Sequence, residues 1–254
     1  MTKRDEEEKA STTTRRDFVT GVMAAATATG SSLVVSTAIA DESVRQPGAG
    51  VSALGERSLF ESPKRLPAYG IVSLTPLEQL HGTLTPADLH FERHHAGIPS
   101  IDPLNHELLI HGMVEKPLKL SIADLKRFPA TTRTGFIECS GNLNTRAGEE
   151  ATPQMLCGLT SQSEWTGVAV STLLREVGLK PKASWCLAEG ADAALMSRSV
   201  PVEKLLDDAM VVYAQNGEAL RPGQGYPIRL LLPGWEGNTH IKWLRRLELS
   251  DAPF

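Results

Sequence analysis

Phe136-Ile137-Glu138-Cys139-Ser140-Gly141-Asn142 is the stretch on which the reading of this chain turns. Phe136-Ile137-Glu138 reads as a short strand. It runs into Cys139 and then a glycine-containing loop, with Asn144 and Arg146 just beyond. Such a junction exposes a side chain at the end of a sheet. A thiolate there suits a soft metal, or a nucleophile activated by nearby positive charge. The competing reading is a buried structural cysteine, the common fate of a lone thiol. Local spacing alone leaves both open.

Working outward, strands and short helices mix. Glu107 to Val114 is apolar and strand-like, Glu115-Lys116-Pro117 is a turn, and Leu118 to Leu120 reads as a returning strand. Ser121 caps a short helix from Ile122 to Arg127, with Asp124 in its first turn. Trp165-Thr166-Gly167 reads as a turn. Val170 to Val177 is an amphipathic helix ended by Gly178. Trp185 to Ala188 is strand-like, Val202 to Leu206 is a short helix, and Ala209 to Ala214 is a strand. Asn216-Gly217 is a hairpin signal. Tyr226 to Leu232 and Ile241 to Leu249 are expected as two further strands. The class is a mixed α+β domain with short elements and long loops.

Three more polar clusters accompany Cys139. They are His90-Phe91-Glu92-Arg93-His94-His95, Gln224 to Arg229, and Gly237 to Trp243. His90 and His94 are four apart, as on one face of a helix, which invites a zinc reading. No second Cys or His pair completes it, and Arg93 would repel a dication. Arg229, His240 and Lys242 lie near strand ends. Singly each reads as a solvated residue; together they could bind an anion such as a phosphate. Cys157 and Cys186 lack such context and read as core residues or one disulfide.

Composition sets the outer limits. The chain has 254 residues, with 26 Lys+Arg against 30 Asp+Glu and a net charge of −4. That mildly acidic balance is not the footprint of a nucleic-acid binder. A 41% hydrophobic content excludes a wholly disordered or low-complexity chain. The three cysteines cannot all pair, and no C-x-x-C-H haem motif occurs.

Residues 1–40 read as an export signal. Thr14-Arg15-Arg16-Asp17-Phe18-Val19 resembles a twin-arginine motif, a small-apolar stretch follows, and Ala38-Ile39-Ala40 fits a cleavage site. The Ala, Thr, Ser and Gly content argues against a stable membrane anchor. A periplasmic protein, exported folded, is the expectation. Residues 41–80, with four prolines, read as an extended lead-in, and 81–254 as the functional domain.

The clusters, in this order, resemble the molybdenum domain of the sulfite oxidase family. They are most like the molybdenum subunit of bacterial sulfur dehydrogenases, the Sox-system C subunit. The likeness runs from about Leu77 to Leu249. It rests on FERHH (91–95), ECSGN (138–142), SEWTGV (163–168), YPIRLLLPGW (226–235) and HIKWLRRLEL (240–249). It implies one Mo-molybdopterin per chain, with Cys139 as the protein thiolate on the metal. It implies cofactor contacts from Phe91, Arg93, His94, His95, Asp192, Gln224, Arg229, His240, Ile241 and Lys242. Arg93 matches an arginine at the substrate end of the pocket.

The implied reaction is oxygen-atom transfer to sulfite or protein-bound sulfane sulfur, with electrons passing to a c-type cytochrome and a sulfur-carrier protein as a candidate substrate. There are departures. The family's active-site tyrosine falls on Met196, with Arg198 nearby as a charge. Its second arginine falls on Asn144, with Arg146 two residues on. A histidine falls on Gln224. The family's C-terminal immunoglobulin-like dimerisation domain is expected to be absent. Methionine sulfoxide reduction on the same cofactor, and an inactive truncated fragment, are the alternatives.

Overall fold

The computed structural model describes residues 48–68, 70–143 and 150–254. The expected export signal, Asn144 and Arg146 lie outside the described residues. Residues 57–254 form one compact unit, with three sheets among the described residues.

The first sheet is small. It joins β1 (Leu66–Pro67), β2 (Val72–Leu74) and β3 (Glu92–Arg93), all antiparallel. The second contains β6 (Thr131–Glu138), β7 (Thr160–Ala169), β10 (Met210–Gln215) and β11 (Glu218–Ala219), with β12 (Arg229–Leu231) also paired to β10. The third runs in the order β5 (Leu118–Ser121), β4 (Glu107–Gly112), β13 (Leu244–Ser250), β8 (Trp185–Gly190), β9 (Ser197–Pro201). Its β4–β13 pair is parallel and the rest antiparallel.

Among the described residues four short α-helices join these strands: α1 (Ile122–Leu125), α2 (Pro153–Cys157), α3 (Val170–Val177) and α4 (Val202–Asp207). In α3 the apolar positions Val170, Leu173, Leu174 and Val177 recur at helical spacing, and all four are buried. Gly178, at φ +67°, ends it by donating its N–H to Leu174 O. Ser121 and Asp124 close a capping box on α1. Asn216 (φ +51°) and Gly217 (φ +78°) make the two-residue turn between β10 and β11 that the sequence announces.

Three readings need correction. Trp165-Thr166-Gly167 is not a turn but the interior of the ten-residue β7. Gly167 serves close approach instead: a Cβ there would sit 2.2 Å from Val211 O. Trp165 is fully buried, with its indole N–H on Gly135 O. The Tyr226–Leu232 strand shrinks to Arg229–Leu231, because the chain is still turning through Gly225 (φ +105°). The final strand begins at Leu244, not Ile241. Trp243 takes φ +54°, and residues 240–243 form an irregular segment. All three cysteines are free thiols, so the disulfide option for Cys157 and Cys186 falls away.

Two apolar cores result. The larger gathers Leu108, Ile110, Leu173, Leu174, Val211, Leu230 and Leu247 around α3 and the third sheet. The smaller joins the first and second sheets through Val72, Phe91, Ile137, Trp165, Met210 and Val212, and it includes Cys139. Cys139 therefore ends β6 on a packed, water-poor base. Among the described residues no helix is long and apolar enough to cross a membrane.

Candidate functional site

Five irregular segments at strand ends line one cavity of about 70 Å³ that opens to solvent. Its lining includes Phe91, Arg93, His94 and His95 from β3 and its flanks. Cys139 comes from the end of β6, Asp192 and Met196 from the turn between β8 and β9, and Gln224 from the turn before β12. Arg229, His240, Ile241 and Lys242 complete the residues expected from sequence. Arg198 stands beside them, donating from Nε to Asn238 Oδ1 at 3.0 Å and from Nη1 to Ser197 O at 2.8 Å. His90, Ile137, Gly237, Asn238 and Trp243 also line the cavity and had no assigned role. They fall inside or beside the quoted clusters, but nothing in the sequence says which of them faces inward.

The Cys139 loop is fixed from behind. Asn142 Nδ2 donates to Glu138 Oε1 at 2.9 Å and Thr160 Oγ1 at 2.8 Å, and its Oδ1 accepts from Leu159 N at 2.9 Å. Gly141 N donates to Cys139 Sγ at 3.4 Å. Among the described residues no three His, Cys, Asp or Glu side chains gather as a metal-ligand set. The zinc reading of His90 and His94 fails for the same reason. His90 donates from Nδ1 to Phe91 O and stacks on Phe91, whereas His94 binds Glu92 and Lys242.

The cavity is a buried cationic site. Arg229 lies over the Trp165 ring, 5.2 Å from its centroid. It donates from Nη1 to Gln224 O and Oε1, and from Nη2 to His240 O. Burial alone lowers its guanidinium to about 9. Lys242 Nζ donates to His94 Nδ1 at 2.8 Å and to Arg93 O and Gly223 O at 3.1 Å. Burial, then the charge of Arg229, lowers it to about 7. Among the described residues neither cation has a carboxylate within ion-pair distance, and Arg229 Nε and Arg93 Nε find no acceptor. Unpaired buried charge is costly. These groups therefore fit an anionic ligand rich in acceptor oxygens.

His240 and Gln224 line the cavity and are tied into its wall. His240 accepts from Leu232 N at Nδ1 and donates to Trp235 O at Nε2. Gln224 donates to Phe91 O and accepts from Arg229. These bonds fix the wall, and Gln224 Oε1 with the His240 carbonyl holds Arg229. Asp192 Oδ1 accepts from Met196 N and fixes the turn. His95, at the exposed rim, receives a 3.1 Å hydrogen bond from Arg93 Nη1. Burial, then Arg93 and Arg198, depress its imidazole.

A soft thiol on the wall of an anion-binding cavity is the donor set a metal–pterin phosphate group requires. Residues 95–254 match the family model described as the oxidoreductase molybdopterin binding domain. The chain belongs to this family. Its fold is the sulfite-oxidase-type molybdenum-binding fold, and the domain is of the molybdenum oxidoreductase kind. The crystal structure of the sulfane dehydrogenase SoxCD from Paracoccus pantotrophus superposes with a TM-score of 0.79. It is 42% identical and covers 84% of this chain and 58% of that one. An NADH nitrate reductase of Ulva prolifera is 33% identical over 187 residues, 67% of this chain. An NADPH nitrate reductase of Pichia angusta is 32% identical over 199 residues, 70% of this chain. The matched region spans only 22% of each of these nitrate reductases.

Proposed function

We propose that this domain oxidises sulfite or protein-bound sulfane sulfur in the periplasm and passes the electrons to a c-type cytochrome. The observation that carries the reading is one cavity that brings Cys139 together with the carboxylate-free cations Arg229 and Lys242. Likeness to a sulfane dehydrogenase, at 42% identity, favours sulfur over nitrate as substrate. The twin-arginine-like segment at residues 14–19 supports export.

When bound, the molybdenum–pterin group supplies a two-electron couple able to exchange an oxygen atom with a substrate. The residues of this chain do the rest. Cys139, on the rigid end of β6, is the residue that would hold the metal through its sulfur. Arg229 and Lys242, with Arg93 and His95, hold the anionic end of the cofactor through charge-assisted hydrogen bonds. Asp192, which accepts from Met196 N and lines the cavity, would offer its carboxylate to N–H groups of the cofactor. Arg93, His95 and Arg198 at the rim attract and orient a sulfur oxyanion. Ile137, Phe91 and Ile241 line the cavity with apolar surface, which lowers the local dielectric and strengthens those charges.

The test is metal analysis and turnover on the full chain from a molybdenum-replete host. Molybdenum near one per chain is expected. Sulfite or sulfane oxidation that disappears in Cys139→Ala is expected with it. Folded protein without molybdenum, or turnover unchanged by Cys139→Ala, overturns the proposal. So does selective reduction of nitrate or methionine sulfoxide.

A further inference from the structure

Glu92 has no cofactor or catalytic role above and does not line the cavity, yet it is held directly behind His94, which does. Its carboxylate is bonded to Arg65 on one side and to His94 Nε2, at 3.3 Å, on the other. Gly223 makes room for it: a Cβ there would fall 2.3 Å from Glu92 Oε1. His94 in turn meets Lys242 Nζ through Nδ1 at 2.8 Å. Four side chains thus run in line from surface to cavity. Side-chain exposure falls from 30% at Arg65 through 19% at Glu92 to 4% at His94.

The chemistry of the line is directional. A carboxylate accepts, so His94 Nε2 must carry the imidazole proton. The Nδ1 lone pair is then free to accept from Lys242. Lys242 has three donors, and Arg93 O, His94 Nδ1 and Gly223 O occupy all three. A ligand anion therefore gains a Lys242 N–H only by competing with one of these acceptors.

We propose that Glu92 is a positioning residue which, through His94, sets the orientation and charge of Lys242 and so the grip of the cavity on its anionic cofactor. The inference rests on the cofactor reading given above. The charged groups facing Lys242 are Arg229 from β12, Arg93 and Glu92 from β3, and Asp192 beyond β8, with His94 in direct contact. Burial and the two arginines push Lys242 towards the neutral form. Glu92 and Asp192 oppose them. Glu92 itself stays ionised: burial works to raise its carboxyl, but hydrogen bonds from His94 and Arg65 outweigh that and hold it at about 2. Removing its charge must therefore make Lys242 easier to deprotonate.

Two measurements on the full chain as purified test this. The first reads the His94 tautomer from its imidazole nitrogen resonances. Wild type should show the proton on Nε2, and Glu92→Gln should move it or mix the two forms. The second follows pterin retained after dialysis between about pH 6 and about pH 9. Retention should fall as pH rises, and Glu92→Gln should move that fall down by about one pH unit. Arg65→Met, which spares the carboxylate, should shift the profile less, and Glu92→Asp should restore part of it. A wild-type His94 protonated on Nδ1, or Glu92→Gln and wild-type profiles that superimpose, overturns the proposal. The tautomer measurement needs no cofactor. Wild type without pterin defeats the functional reading while the nitrogen resonances still decide the Glu92–His94 relation.

Discussion

Gly237 packs its bare Cα against the backbone of the Cys139 junction: a Cβ at Gly237 would lie 2.7 Å from Glu138 O and 3.2 Å from Cys139 Cα. Both neighbours are backbone, so neither can rotate away. The segment that carries His240 and Lys242 is thereby registered against the loop that carries the thiol. Gly237→Ala should separate the two walls of the cavity. We expect a stability loss of about 1–3 kcal/mol and a disproportionate loss of bound molybdenum. Chemical denaturation and metal analysis on the same sample check it. An alanine variant with wild-type metal content would show that this contact does not set the site.

Arg229 separates function from stability. Its guanidinium is buried with no carboxylate partner, and burial lowers it to about 9. An apolar side chain of similar length avoids that desolvation cost. Arg229→Met should change the stability of the cofactor-free protein little, because relief of the buried charge is offset by the hydrogen bonds lost to Gln224 and His240. It should also abolish cofactor retention, because an unpaired cation is what the anion requires. Denaturation of the cofactor-free chain and pterin quantification on the expressed protein check the two halves.

How much of this was legible in the sequence depends on the kind of signal. The helix Val170–Val177 was legible because its apolar spacing and its terminating Gly178 are local. The Asn216-Gly217 turn and the Ser121 cap were legible for the same reason. Gly167 misled, because a glycine that admits Val211 looks the same in sequence as one that makes a turn. Strand β9, with Arg198, was not foreseen, since its residues are mostly half-buried and polar and show no clean alternation. Residues 240–243 misled because a cavity wall, not a sheet, dictates where those side chains point. The clusters of the site could be quoted from the sequence. The pairing of Glu92 with His94 and Lys242 could not, because Lys242 lies 148 residues beyond His94.

Acid should weaken the fold through two buried imidazoles. Burial lowers His90 and His240 from 6.5 to about 3. Both are neutral in the folded protein, whereas in the unfolded chain they take up protons below about pH 6.5. Their contribution is fully present above that pH and is lost as pH falls towards about 3. Each group should cost about 1.4 kcal/mol per pH unit across that window. Glu92 acts in the same direction at lower pH, between about 4.5 and about 2. Denaturant midpoints measured from about pH 7 to about pH 4 should fall steadily. His240→Asn should flatten the slope even if it lowers the midpoint at neutral pH.

The rim arginine should act on substrate capture. Arg198 is held by Asn238 and by the Ser197 carbonyl, beside Met196 and without a carboxylate partner among the described residues. It shares the rim with Arg93 and His95, and its charge reaches the His95 imidazole. A partly buried cation so placed steers anions and binds them through charge-assisted hydrogen bonds. Arg198→Met should raise KM for a sulfur oxyanion by about tenfold, equivalent to about 1.4 kcal/mol, with a smaller change in kcat. Wild-type KM should also climb with ionic strength, because screening weakens exposed charges. The variant should respond less to salt. Steady-state kinetics at low and high salt on both proteins decide it; parallel salt dependences would remove Arg198 from the capture step.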